Sequence, residues 1–124
     1  MPVKVIDASA LAAIVFAEPE ADRVVAQVRG YSLAAPALLP FEIASVCLKK
    51  VRRYPKKRPQ LLAAIRMMEM MEISQTEVDL QEAVLLAEER QLTVYDAAYL
   101  WLARRLGSEL VTLDEKLAKA RGQV

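Results

Sequence analysis

The chain has 124 residues, with 17 Lys and Arg against 16 Asp and Glu, one cysteine, three glycines and neither histidine nor asparagine. Without histidine there can be no Ser-His-Asp or Cys-His relay, no imidazole pair for metal-free RNA cleavage and no imidazole zinc site. Gly30, Gly107 and Gly122 are too far apart to form a dinucleotide-binding turn or a phosphate-cradling loop. The length fits one domain over residues 1–124. A lone cysteine, no secretory leader and no apolar run of about 18 residues point to a soluble cytoplasmic protein with no membrane contact.

In chain order, Val3 to Asp7 is a β-branched run suited to a buried strand, and Ala8 to Ala17 is rich in helix formers. Pro19 ends that segment. Glu20 to Arg29 carries Ala21, Val24, Val25 and Val28 at helical spacing and is closed by Gly30. Ser32 to Ala35 is a short extended candidate. Pro40 opens a long helix with Ile43, Val46, Cys47 and Val51 on one side, ending near Tyr54-Pro55. Pro59 starts a helix over Gln60 to Met71, Glu72 to Thr76 is a possible strand, and Val78 to Arg90 is helical. Tyr95 to Leu106 forms a helix capped by Gly107, Glu109 to Leu113 is the last strand, and Glu115 to Arg121 a terminal helix. Helices alternating with short apolar strands predict an α/β/α sandwich around a mainly parallel sheet.

Four acids differ from the other twelve because each lies in apolar sequence at the entry to a helix: Asp7, Glu42, Asp96 and Asp114. Asp7 and Asp114 end the first and last strands, and the carboxyl ends of strands line the ligand crevice of an open α/β sheet. Capping is the plain alternative, because a carboxylate at a helix N-terminus is stabilised by about 0.5 to 2 kcal/mol. Thr93 with Asp96, and Thr112 with Glu115, also have capping-box spacing. Capping does not require the apolar flanks, where an unpaired charge is costly and neighbouring carboxylates raise one another's pKa. A hard divalent cation, Mg²⁺ or Mn²⁺, is the partner such acids lack.

The segments Val5-Ile6-Asp7-Ala8-Ser9, Pro40-Phe41-Glu42-Ile43, Tyr95-Asp96-Ala97-Ala98-Tyr99 and Val111-Thr112-Leu113-Asp114, in this order, resemble the PIN-domain ribonucleases and specifically the VapC toxins of toxin-antitoxin pairs. The resemblance spans essentially the whole chain. It implies a Rossmann-like sandwich, Mg²⁺ or Mn²⁺, endonucleolytic cleavage of RNA, a homodimer and an antitoxin partner of the VapB type. It also assigns Asp7, Glu42, Asp96 and Asp114 to the family's acidic quartet, with Ser9 and Thr112 as supporting hydroxyls. Asp7 and Asp96 are then the expected metal ligands, assisted by Asp114, and Glu42 is expected to position or deprotonate the water. An RNA-processing nuclease of the same fold, or a degenerate scaffold that binds RNA or protein, are the alternatives.

Two other phosphotransfer readings fail on residues. A haloacid-type phosphatase needs a second Asp where Ser9 stands, and a receiver needs a mid-chain Asp although residues 43–68 contain no acid. Seven of the 17 basic residues fall between Lys49 and Arg58, with Tyr54 among them. Lys49, Arg53, Lys56 and Lys57 in this run are either a solvated helix end or a phosphate-binding rim. Met67, Met68, Met70 and Met71 read as core, Cys47 as a small buried hydrophobe, and Tyr99 and Trp101 as core or dimer packing.

Overall fold

A computed structural model describes residues 2–122; Met1, Gln123 and Val124, at the ends of the expected domain, lie outside the described residues. Four strands form one sheet: β1 (Val3–Ile6), β2 (Ser32–Pro36), β3 (Ile73–Thr76) and β4 (Leu110–Val111). Their order is β3-β2-β1-β4, and every pairing is parallel. β1 therefore sits between neighbours on both edges, and Val5 and Ile6 are fully buried against Leu110 and Val111.

The helices are α1 (Ala8–Val15), α2 (Ala21–Val28), α3 (Leu39–Arg53), α4 (Arg58–Glu69), α5 (Leu80–Arg90), α6 (Val94–Leu106) and α7 (Glu115–Gly122), with a 3₁₀ turn at Pro55–Lys57. Helix α1 packs on α2, α3 and α4, whereas α6 packs on α5, α7 and strands β1, β2 and β4. The outcome is the α/β/α sandwich predicted from the alternation of elements. Apolar side chains from both layers, among them Leu11, Ile43, Tyr99, Leu102 and Leu117, close the core over the sheet. Full burial of one such leucine contributes about 1.5 to 3 kcal/mol. No helix of the described residues is long and apolar enough to cross a membrane.

Three local differences from the sequence reading have physical causes. Strand β4 is only two residues long, because after Val111 the backbone leaves the ladder and the Leu113 N–H donates to Ser9 Oγ. Helix α1 stops at Val15, where Ala17 N–H bonds Ile14 O and Glu18 N–H bonds Ala13 O; this Schellman turn puts Ala17 at φ +50°. The methionines are not all core. Met68 is buried, but Met67 and Met70 are 67% and 80% exposed because they fall on the outer face of α4 and the turn after it. Cys47 is buried as expected.

The strand order also decides where a ligand would sit. The chain moves from β1 outward to β2 and β3, then returns to the other side of β1 as β4. Strand order reverses between β1 and β4, so the crevice beyond their carboxyl ends is the topological switch point of the sheet.

Candidate metal-binding active site

Asp7 leaves β1 directly into that crevice. Its N–H donates to Val111 O, which continues the β1–β4 ladder by one bond and brings the residues after β4 alongside. Its carboxylate caps α1 through Ala10 N–H and accepts from Ser9 Oγ at 2.8 Å and from Thr112 Oγ1. Ser9 and Thr112 are themselves 3.3 Å apart, and Thr112 Oγ1 accepts from Asp114 N–H. The two hydroxyls therefore tie the start of α1 to the turn after β4, with Asp7 between them.

The other acids reach the same crevice from three further elements. Asp114 caps α7 through Leu117 N–H, Glu42 lies in the first turn of α3, and Asp96 in the first turn of α6. The cap of α6 is Thr93, whose Oγ1 accepts from Asp96 N–H. All four carboxylates line one cavity of about 470 Å³, with Ser9 and Tyr99. Capping and convergence, treated as alternatives in the sequence, coexist at Asp7 and Asp114: a helix N-terminus aimed at the crevice carries its capping carboxylate there.

The electrostatics are those of acids crowded together. Burial raises the Asp7 pKa, against the bonds from Thr112, Ala10 and Ser9, and Asp114 raises it further. Burial also raises Glu42, opposed by Tyr99 and reinforced by Asp96 and Asp7. Asp96 is raised by burial, then by Asp114 and Asp7, with smaller lowering effects from Thr93 and Lys116. Each group is thus held above its ordinary value by lost hydration and by its neighbours' charge.

An oxygen-only donor set of this charge suits a hard divalent cation. Among the described residues no three carboxylates close into a ligand cage by themselves. Mg²⁺ does not need one, because it keeps several waters and is commonly bound by one or two carboxylates together with substrate phosphate. The chemistry of the residues fits that ion.

Tyr99 and two further acids were not legible as site residues. Tyr99 is 1% exposed, yet its Oη donates to Glu42 Oε1. The signal available was its position three residues after Asp96, on the same face of α6. Glu18 and Glu20, in the turn after α1, also line the cavity; their sequence carries no motif that marks them. The basic run lies elsewhere. Lys49, Arg53, Lys56 and Lys57 are exposed around the end of α3 and the 3₁₀ turn, outside the acidic cavity. Lys50 links the two regions, its Nζ lying 3.5 Å from Glu18 Oε2.

Comparison with known proteins gives the family. The family model of the PIN domain matches residues 4–123. The chain is 36% identical over 125 residues to Ribonuclease VapC3 of Pyrobaculum aerophilum, covering 93% of this chain and 92% of that protein. Its structure is similar to the crystal structure of PAE2754 from Pyrobaculum aerophilum, with a TM-score of 0.78 and 28% identity over 99% of this chain and 88% of the other. Sandwich, crevice and sequence together show that the chain belongs to the PIN domain family.

Proposed function

We propose that the protein is a metal-dependent endoribonuclease that hydrolyses RNA phosphodiester bonds, and that it is the toxin of a VapBC-type toxin-antitoxin pair. The observation that carries the reading is the convergence of Asp7, Glu42, Asp96 and Asp114 on one cavity at the switch point, three of them with raised pKa values. The relationship to a protein named a ribonuclease supports RNA as substrate.

In this reading Asp7 and Asp96, assisted by Asp114, would hold Mg²⁺ or Mn²⁺, which would supply Lewis-acid activation of a water and charge neutralisation at the phosphate. Ser9 and Thr112 fix the rotamer of Asp7. Glu42 Oε1 is taken by Tyr99, so Oε2 is the oxygen that orients the attacking water and accepts its proton. The raised pKa of Glu42 brings it closer to the range in which a general base works well. Lys49, Arg53, Lys56 and Lys57 would guide the strand toward the cavity by phosphate contacts. A VapB-type antitoxin, a homodimer and a cytoplasmic location belong to the same proposal; Leu80, Val84 and Leu85, exposed together on α5, offer apolar surface for a partner chain.

The test is cleavage of a labelled single-stranded RNA. Activity absent in EDTA, restored by Mg²⁺ or Mn²⁺ and lost in Asp7→Asn and Asp96→Asn supports the proposal; cleavage that survives both EDTA and Asp7→Asn contradicts it.

A further inference from the structure

A second cavity, of about 360 Å³, opens where the end of α1 meets α3, the 3₁₀ turn and α4. It differs in character from the acidic one. Its walls include Phe16, Lys50, Tyr54, Lys57 and Gln60, so it presents aromatic rings, cations and an amide rather than carboxylates. The cations are organised about the rings: Lys50 Nζ is 5.4 Å from the Phe16 centroid and Lys57 Nζ is 5.3 Å from that of Tyr54. Arg53 donates from Nε to Tyr54 Oη at 2.9 Å, and Tyr54 is 44% exposed.

The two cavities are parts of one track. Glu42 and Val46 line the acidic cavity, Lys50 and Tyr54 line the second, and the four residues follow one another at intervals of four along α3 and its C-cap. Residues so spaced share a helix face, and at 1.5 Å per residue the stripe runs for roughly 18 Å. The Schellman turn at Ala17 sends Phe16 into the cationic cavity and Glu18 into the acidic one, and the Lys50–Glu18 pair stands between them. A strand lying along α3 with a phosphate at the carboxylates passes Lys50 and then Tyr54. Lys50 and Glu18 keep 27% and 35% of their side-chain exposure, so Lys50 can exchange Glu18 for a phosphate oxygen without stranding either charge away from water.

We propose that this cavity is a nucleotide subsite of the cleavage centre, in which the Tyr54 ring stacks on a base of single-stranded RNA while Lys50 and Lys57 hold the adjoining phosphates. The proposal rests on the nuclease reading of the acidic cavity. An exposed aromatic with cations beside it and a track leading to carboxylates is the combination by which single-strand binders hold a backbone and a base together. An acidic peptide would satisfy the lysines but brings no base to stack on the ring, and the track to the carboxylates would serve no purpose. Stacking is tolerant of base identity, so the subsite would fix where the strand lies rather than which base it carries.

The experiment is equilibrium binding to the full chain in EDTA, where no cleavage occurs, read by fluorescence anisotropy. The probes are a labelled eight-nucleotide adenylate and a strand of equal length with the same ribose-phosphate backbone but no bases. Tyr54→Leu should weaken adenylate binding roughly tenfold and leave the base-free strand unchanged, whereas Tyr54→Phe should bind both as the parent does. Lys50→Met should weaken both strands. Equal affinity of Tyr54→Leu and parent for the adenylate, or an equal loss on both strands, overturns the subsite, the latter being what a cavity for acidic chains would give. Thermal melting of each variant checks that it is folded. Failure of the nuclease reading is seen separately, as parent protein that does not cleave RNA in Mg²⁺ whatever the binding result.

Discussion

Tyr99 Oη donates to Glu42 Oε1 at 2.5 Å, joining the buried face of α6 to the first turn of α3 across 57 residues of sequence. The bond stabilises the Glu42 carboxylate against the desolvation that raises its pKa. It also engages one of the two carboxylate oxygens, which orients the carboxylate and with it the other oxygen.

The consequence is a prediction for Tyr99→Phe. Removing the hydroxyl takes away the one bond that lowers the Glu42 pKa, so the acid limb of the pH-rate profile should move to higher pH. The maximal rate should fall by roughly tenfold or more, given that positioned general bases contribute about 10²- to 10⁴-fold. A pH-rate profile of RNA cleavage decides it; an unshifted acid limb would show that Glu42 does not take the proton.

A second prediction concerns pH and the metal-free fold. Asp7, Glu42 and Asp96 all have folded-state values above their unfolded ones, so each binds its proton more tightly in the native state. Each therefore destabilises the fold when ionised, and that penalty fades as pH falls through the folded values toward the ordinary carboxylate range. In EDTA, urea unfolding should show Asp96→Asn more stable than the parent at pH 7, with the difference shrinking by pH 4. A difference of opposite sign, or one independent of pH, would contradict the crowding of these acids.

Much of this arrangement was visible in the residues. Strands β1 to β3 and the helices of the described residues fall within a few residues of where apolar runs, prolines and capping residues place them, and the acids stand out because apolar strands and helix starts flank them. What the residues alone do not disclose depends on distant partners. Tyr99 reads as core because most of its surface is ring, and only the tertiary approach of α3 supplies an acceptor for its hydroxyl. The shortness of β4 depends on Ser9, which is 104 residues away and takes the backbone bond a fifth residue would have made. Glu18 reaches the cavity through a left-handed turn at Ala17, and alanine gives no turn signal where glycine would.

That turn yields a third prediction. An alanine at φ +50° carries a Cβ penalty of about 1 to 2 kcal/mol, part of which is offset by the smaller entropy of its unfolded state. Ala17→Gly should therefore stabilise the protein by about 0.5 to 1 kcal/mol, measured by denaturant unfolding. Destabilisation would show that Ala17 does not occupy this conformation in solution.

The basic run gives a fourth. Replacing Lys49, Arg53, Lys56 and Lys57 together by glutamine should weaken RNA binding and flatten its dependence on salt, because up to four phosphate contacts at about 0.7 released counterions each are lost. The thermal shift caused by Mg²⁺ should not change, since these residues lie outside the acidic cavity. An unaltered salt slope would return the run to plain solvated surface.

Thermal unfolding of the parent and Asp96→Asn at low salt, with and without Mg²⁺, decides whether the carboxylates bind metal. Without metal the substitution removes one of the mutually repelling charges while Thr93 still caps α6, so melting should move upward. With Mg²⁺ at ten times its dissociation constant the parent should gain about 1.4 kcal/mol, and Asp96→Asn should gain little because its site is incomplete. A mutant that melts lower than the parent without metal, yet gains as much from Mg²⁺, would show that Asp96 is no metal ligand and leave it as an ordinary helix-start acid.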